Sequence, residues 1–303
     1  MNVRVGIAGL GGAGLKLLPW FERIDGVSLA GAADLRAEAR GAFARRFDLP
    51  AFGTIEALCR SDDVDAVYVA TPSEWHAEHA LTAIQAGKHV MCEKPLALTL
   101  DDSDRMVAAA DAAGVLLLQA HSKVLDGPIR AMRDVATSGR LGDVFQLDTW
   151  LYNDWVRRPR LASELEETRG GGVVMRQGPL QVDIARFLVG RPVVSVRAVA
   201  GRRPGSLDTL GHYAAQLVFE GGAVASLTMS GYGFFGIDEL APGTPPRTPR
   251  SASTTPVPDD VKYAGTLAIP EPPEGPPFCG LTILSLDRGV VRQSPTGIFV
   301  YTD

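Results

Sequence analysis

Residues 9–14 read Gly-Leu-Gly-Gly-Ala-Gly, and no other segment restricts the fold so sharply. The apolar run 3–8 precedes it, and Leu15, Leu17, Leu18 and Phe21 follow at roughly helical spacing. The segment therefore reads as strand, tight turn and helix. A Gly-x-Gly-x-x-Gly pattern alone is a weak signal, because glycines also collect in ordinary turns. Between a strand and a helix each glycine has a physical reason. Gly9 permits the tight turn, Gly11 lets backbone approach a diphosphate, and Gly14 lets the helix pack on the strand.

The alternation then repeats. Residues 27–33 form a second apolar run ending at Asp34, with a helical stretch over 36–47. Residues 64–70 read as a third strand, 74–86 as a helix closed by Gly87, and 89–92 as a fourth strand leading into Glu93-Lys94-Pro95. A helix over 101–113 closed by Gly114 and a fifth strand over 115–119 complete the series. Strands alternating with helices predict a doubly wound parallel sheet, an N-terminal Rossmann domain over residues 1–121. Its expected ligand is a dinucleotide, with the phosphates at the helix N-terminus beside Gly9, Gly11, Gly12 and Ala13. Asp34, 20 residues after Gly14, is placed to accept hydrogen bonds from the adenosine ribose, which points to NAD. Arg36 would instead stack on adenine or reach a 2′-phosphate, which keeps NADP open. Asp34 also has a plainer reading, as N-cap of the following helix.

Those glycines, together with Ala70-Thr71-Pro72, His76 and above all Glu93-Lys94-Pro95, resemble the Gfo/Idh/MocA family of nicotinamide-dependent oxidoreductases. The resemblance implies that Ala70, Thr71, Pro72 and His76 border the cofactor. It implies also that Glu93 faces the nicotinamide ribose and that Lys94 points at the reacting hydroxyl. A cation or base suits that place, because hydride leaves a carbinol carbon only as its hydroxyl loses a proton. Pro95 is a candidate for a cis peptide.

From about Ser122 the pattern changes. A helix over 128–137, a strand over 144–155 and further strands over 193–200, 213–219 and 223–230 predict a second α/β domain, residues 122–303, with a largely antiparallel open sheet. Glu220-Gly221-Gly222 joins the last two as a hairpin. Prolines are dense between 241 and 278, where a lid-like loop is expected. Residues 170–183 resemble the family's second motif, in which many members carry an aspartate and, four residues later, a histidine used in proton transfer; here Arg176 and Leu180 hold those places. The words at 158–160, 168–174, 181–184, 231–233, 238–240 and 292–295 resemble the branch containing phthalate 4,5-cis-dihydrodiol dehydrogenase. Family members usually continue beyond the strand over 297–301, so the second domain reads as truncated and the chain as a homo-oligomer, a dimer or tetramer.

The implied activity is transfer of hydride from a cyclic diol to nicotinamide, a carboxylated cis-dihydrodiol being one candidate substrate. Arg176, with Gln177 beside it, would hold a substrate carboxylate; the cluster Arg157, Arg158, Arg160 and Arg169 reads equally as a carboxylate clamp or as a solvated basic face. Tyr152 and Trp155 would stack on a planar ring, although two aromatics on one strand also suit a core. Leucine moves no proton, so hydroxyl oxidation would rest on Lys94 alone or on a partner such as His121 or His212. Two rival readings stay open: a catalytically impaired dinucleotide-binding or regulatory protein, and a sugar or inositol dehydrogenase.

A formal net charge of −5 over 303 residues leaves no basic footprint for nucleic acid. The three cysteines show no metal-ligand spacing, so no metal site is expected and a reducing cytoplasmic setting fits. Five glycines interrupt the apolar stretch 3–18, against a secretory leader, and no stretch is long enough to span a membrane.

Overall fold

The computed structural model describes residues 2–240, 255–258, 269, 280–295 and 297–302. They divide into two compact units that part between Ala120 and His121. In the first unit the apolar runs become strands β1 (Val3–Ala8), β2 (Val27–Ala33), β3 (Ala51–Phe52), β4 (Ala66–Val69), β5 (His89–Glu93) and β6 (Leu117–Ala120). Between them run helices α1 (Gly12–Leu17), α2 (Ala37–Phe47), α3 (Ile55–Cys59), α4 (His76–Gln85) and α5 (Leu100–Ala113). Thr99 caps α5 by accepting from the Asp102 N–H, and Gly114 ends it in the left-handed conformation.

The sheet order is β3-β2-β1-β4-β5-β6, and every neighbouring pair is parallel. This is the doubly wound Rossmann order, whose direction reverses between β1 and β4. Helices cover both faces, which is why the strands read as continuous apolar runs. Ile7, Leu18 and Phe43 fill one side, and Leu58, Ile84 and Met106 the other. Burying each such side chain is worth roughly 1.5–3 kcal/mol. The two-residue β3 and the five-residue α3 had no counterpart in the expected elements.

The second unit contains α6 (Gly127–Thr137), β7 (Val144–Tyr152), α7 (Ala162–Leu165), α8 (Gly172–Arg176), α9 (Gly178–Val189), β8 (Val193–Gly201), β9 (His212–Phe219), β10 (Val224–Ser230), β11 (Leu281–Leu286), β12 (Gly289–Ser294) and β13 (Gly297–Tyr301). Its sheet runs β13-β12-β11-β7-β10-β9-β8, antiparallel at every pair except β7 with β10. The core joins Leu147 and Leu151 of β7 with Ile184 and Leu188 of α9. β7 stops at Tyr152, short of the expected 155, and Trp155 opens a separate 3-10 turn. Most of the proline-dense segment 241–278 lies outside the described residues, as does Cys279. No helix among the described residues is long and apolar enough to cross a membrane.

Candidate functional site

The glycine turn lies at the carboxyl ends of β1 and β4, where the strand order reverses and open α/β sheets bind ligands. Gly9 has φ +100°, and a Cβ there would stand 2.7 Å from the Ala70 carbonyl oxygen. A Cβ on Gly14 would stand 2.1 Å from the Gly9 carbonyl oxygen. Both positions exclude a side chain because backbone meets backbone. Gly12 is different: nothing among the described residues lies within 4 Å of an added Cβ. No side chain caps α1 at Gly11. Its opening turn thus offers backbone donors above clear space, a cradle that suits the diphosphate of a nicotinamide dinucleotide.

Asp34 follows β2 and is stitched into the same turn. Its Oδ2 accepts from the Leu10 N–H at 2.8 Å and from an Arg36 guanidinium nitrogen at 2.9 Å. Its Oδ1 accepts from the Arg36 N–H at 2.8 Å and from Arg36 Nε at 3.0 Å. Burial works to raise the Asp34 pKa, but these bonds from Arg36 and Leu10 together prevail and hold it below its ordinary value. Arg36 also donates to the Leu10 carbonyl at 3.0 Å. The expected ribose acceptor is therefore already engaged by the residue expected to favour a 2′-phosphate. Arg36 is the N-cap residue of α2, and Asp34 does not cap that helix.

Glu93 ends β5, and both of its oxygens are held. Tyr68, on neighbouring β4, donates from its hydroxyl to Oε1 at 2.6 Å, and the Lys94 N–H donates to Oε2 at 3.1 Å. Burial first, and the Glu93 charge second, push the Tyr68 phenol far up, so it stays a donor. The Lys94–Pro95 peptide is cis. His76, 1 % exposed, ties two loops together, with Nδ1 2.7 Å from the Pro95 carbonyl and Nε2 2.9 Å from the Thr71 carbonyl. The Thr71 hydroxyl lies 2.9 Å from His79 Nδ1. Tyr68 and His79 were not singled out in the sequence. Tyr68 had a legible signal, a phenol within an otherwise aliphatic strand.

In the second unit Arg176 donates from Nε to the Gly170 carbonyl at 3.1 Å, and Gln177 donates to the Arg176 carbonyl at 3.0 Å. Trp155 is a core residue, 5 % exposed, with the Arg160 guanidinium 4.1 Å above its ring. Tyr152 stacks on Phe235 at 5.7 Å. The other arginines of that neighbourhood have partners of their own: Arg158 with Asp154, Arg160 with Glu164, Arg169 with Glu166, and Arg157 over the Phe234 ring. Leu180 is buried in the first turn of α9. One turn later Asp183 meets His121 Nδ1 in a short hydrogen bond. His212 packs near Tyr232.

Comparison with known proteins gives two family matches. Residues 3–121 match a model described as an oxidoreductase family with an NAD-binding Rossmann fold, and residues 129–236 match the GFO/IDH/MocA C-terminal domain. A 1-carboxy-3-chloro-3,4-dihydroxycyclohexa-1,5-diene dehydrogenase of Comamonas testosteroni is 41% identical over 239 residues, 78% of this chain and 60% of that protein. A 1,5-anhydro-D-fructose reductase of Ensifer adhaerens is 42% identical over 138 residues, 45% of this chain and 41% of that protein. The matches thus span less than two thirds of either relative's length. A crystal structure from Bordetella bronchiseptica RB50 superposes with a TM-score of 0.88 at 31% identity, covering 100% of this chain and 84% of that one.

Proposed function

The chain belongs to the GFO/IDH/MocA oxidoreductase family, and on that premise we propose that it is an NAD(P)-dependent dehydrogenase that oxidises a cyclic diol, with a carboxylated cis-dihydrodiol as its substrate class. The observation that carries this reading is the pairing of the glycine cradle at β1 with Lys94 directly after β5, both at the carboxyl edge of one parallel sheet. The Comamonas relative, whose name specifies a carboxylated dihydroxycyclohexadiene, supports the substrate class.

In this reading Gly9, Gly11, Gly12 and Ala13 hold the diphosphate, and Asp34 with Arg36 meets the adenosine ribose. Ala70, Thr71 and Pro72 border the cofactor, and His76 fixes that loop. Bound nicotinamide supplies the hydride acceptor. Glu93, fixed by Tyr68, orients the nicotinamide ribose. Lys94 polarises the hydroxyl whose carbon gives up hydride. Arg176 and Gln177 recognise the carboxylate, and Tyr152 borders the ring; Trp155, buried beneath Arg160, supports that wall from the core. Residues 1–121 serve the cofactor, and 122–303 serve substrate and assembly as a dimer or tetramer. Two buried free thiols, Cys59 and Cys92, suit a reducing cytoplasm.

A second reading, dinucleotide binding without turnover, is favoured by Leu180 in the place where the family resemblance expects a proton-transferring histidine. Reduction of NAD and NADP across carboxylated cis-dihydrodiols, unsubstituted dihydrodiols, sugars and inositols separates the readings. The dehydrogenase reading expects turnover with a dihydrodiol and a fall on the order of 10²–10⁴-fold for Lys94→Met. Cofactor binding without turnover on any substrate would establish the second.

A further inference from the structure

Asp183 stands three residues after Leu180 on α9, hence on the same helix face. Onto that face comes a histidine from elsewhere in the chain. His121 directs Nδ1 at Asp183 Oδ2, and its other nitrogen, Nε2, is buried with no hydrogen-bond partner among the described residues. The side chains are 12% and 28% exposed.

A buried polar atom left without a partner is costly unless a bound group supplies the bond. A carboxylate on one imidazole nitrogen fixes the proton there and leaves the other nitrogen as acceptor, the arrangement used by histidine bases. Chain register adds a second, independent observation. Glu93 of β5 is paired with Ala120 of β6. Lys94 and His121 are the residues that next leave those two adjacent parallel strands, at the edge of the sheet where ligands bind.

We propose that His121 Nε2, oriented by Asp183, accepts the proton of the substrate hydroxyl and performs the step that Leu180 cannot. This assignment rests on the dehydrogenase reading. As the carbinol C–H bond breaks, hydride passes to the oxidised nicotinamide. The O–H bond gives its proton to Nε2, its electron pair completes the C=O bond, and the imidazolium so formed faces the Asp183 carboxylate. His121 is the catalytic group and Asp183 its positioning residue. His212, by contrast, makes no hydrogen bond to a carboxylate among the described residues.

The test compares the native chain with His121→Gln and Asp183→Asn in three measurements. Calorimetry with NAD is expected to give the same affinity in all three proteins. Steady-state kinetics with a carboxylated cis-dihydrodiol are expected to show kcat lowered on the order of 10²–10⁴-fold in each variant, with KM within about threefold. In the third, ¹⁵N NMR of the native chain, taken where the ring is neutral, is expected to place the His121 proton on Nδ1. A dihydroxybenzoate, the product class, added with NAD is expected to shift the Nε2 resonance, and Asp183→Asn to disturb the tautomer. Kinetics within threefold of native for His121→Gln overturn the assignment while leaving the dehydrogenase reading intact. If the native chain turns over no diol, the dehydrogenase reading falls and takes the proton-transfer assignment with it, whereas turnover with an unmoved Nε2 resonance overturns the assignment alone. If either variant fails to fold, the native-chain titration decides in the same way.

Discussion

Arg36 closes on Asp34 with two side-chain hydrogen bonds of 3.0 and 2.9 Å, while the Leu10 N–H takes a further acceptor site on the same carboxylate. A carboxylate offers about four lone-pair sites, and all are in use once the Arg36 backbone N–H is included. A ribose diol that binds Asp34 must therefore displace part of this fork, whereas a 2′-phosphate would meet the guanidinium directly. Arg36→Ala is expected to raise the preference for NAD over NADP on the order of 10–100-fold, the worth of a charge-assisted hydrogen bond. Calorimetry with both cofactors on native and variant chains measures it; an unchanged ratio would remove Arg36 from cofactor choice.

The same fork makes stability acid-sensitive. Because the folded Asp34 pKa lies below its ordinary value of 3.8, its contribution is fully present above the unfolded pKa. It is lost as pH falls through the folded value. Thermal unfolding followed from pH 7 down to pH 3 is expected to show a shallower acid decline for Asp34→Asn than for the native chain. Parallel curves would contradict the assignment.

Gly12 and Gly14 are two residues apart and are expected to fail differently. Gly14→Ala drives a Cβ onto the Gly9 carbonyl, so it is expected to cost at least ~1–3 kcal/mol of stability. Gly12→Ala meets nothing within 4 Å among the described residues and is expected to leave thermal stability within about 0.5 kcal/mol. It places a methyl where diphosphate would lie, so NAD affinity is expected to fall more than tenfold. Unfolding curves and NAD titrations check both.

Burial pushes the Cys59 thiol up to about 11 and the Cys92 thiol up to about 12. Thiolate is the reactive form. Neither residue is therefore expected to react with iodoacetamide at pH 8 in the folded protein, while both label in denaturant. Peptide mass mapping reads this out, and rapid native labelling of Cys92 would show that β5 is less well packed than described.

The first unit was legible because its architecture is local: an apolar run, a glycine turn and a periodic helix are each confined to a few neighbouring residues. Right-handed crossovers fix the face on which each helix packs, while the order β3-β2-β1-β4-β5-β6 is set by contacts between distant strands. Elements of two to five residues, such as β3 and α3, are too short to show a period. β11 was missed although Thr282, Leu284 and Leu286 alternate toward the core. It lies beside the proline-dense segment, and its partner β7 is more than a hundred residues away. Side-chain direction was legible least of all. Sequence marks Asp34 and Arg36 as candidates but not that they hold each other, and the 62-residue separation between His121 and Asp183 leaves no periodic trace. Trp155 reads as a strand aromatic until the backbone turns after Tyr152 and buries it.

Calorimetric titration of NAD and NADP into the native chain, with Gly12→Ala as control, tests the central claim most directly. A saturable heat and an upward thermal shift with at least one cofactor in the native chain, both weakened in the variant, are the predicted result. The absence of both heat and thermal shift in the native chain, with NAD and with NADP alike, would contradict the assignment of the glycine turn and everything built on it.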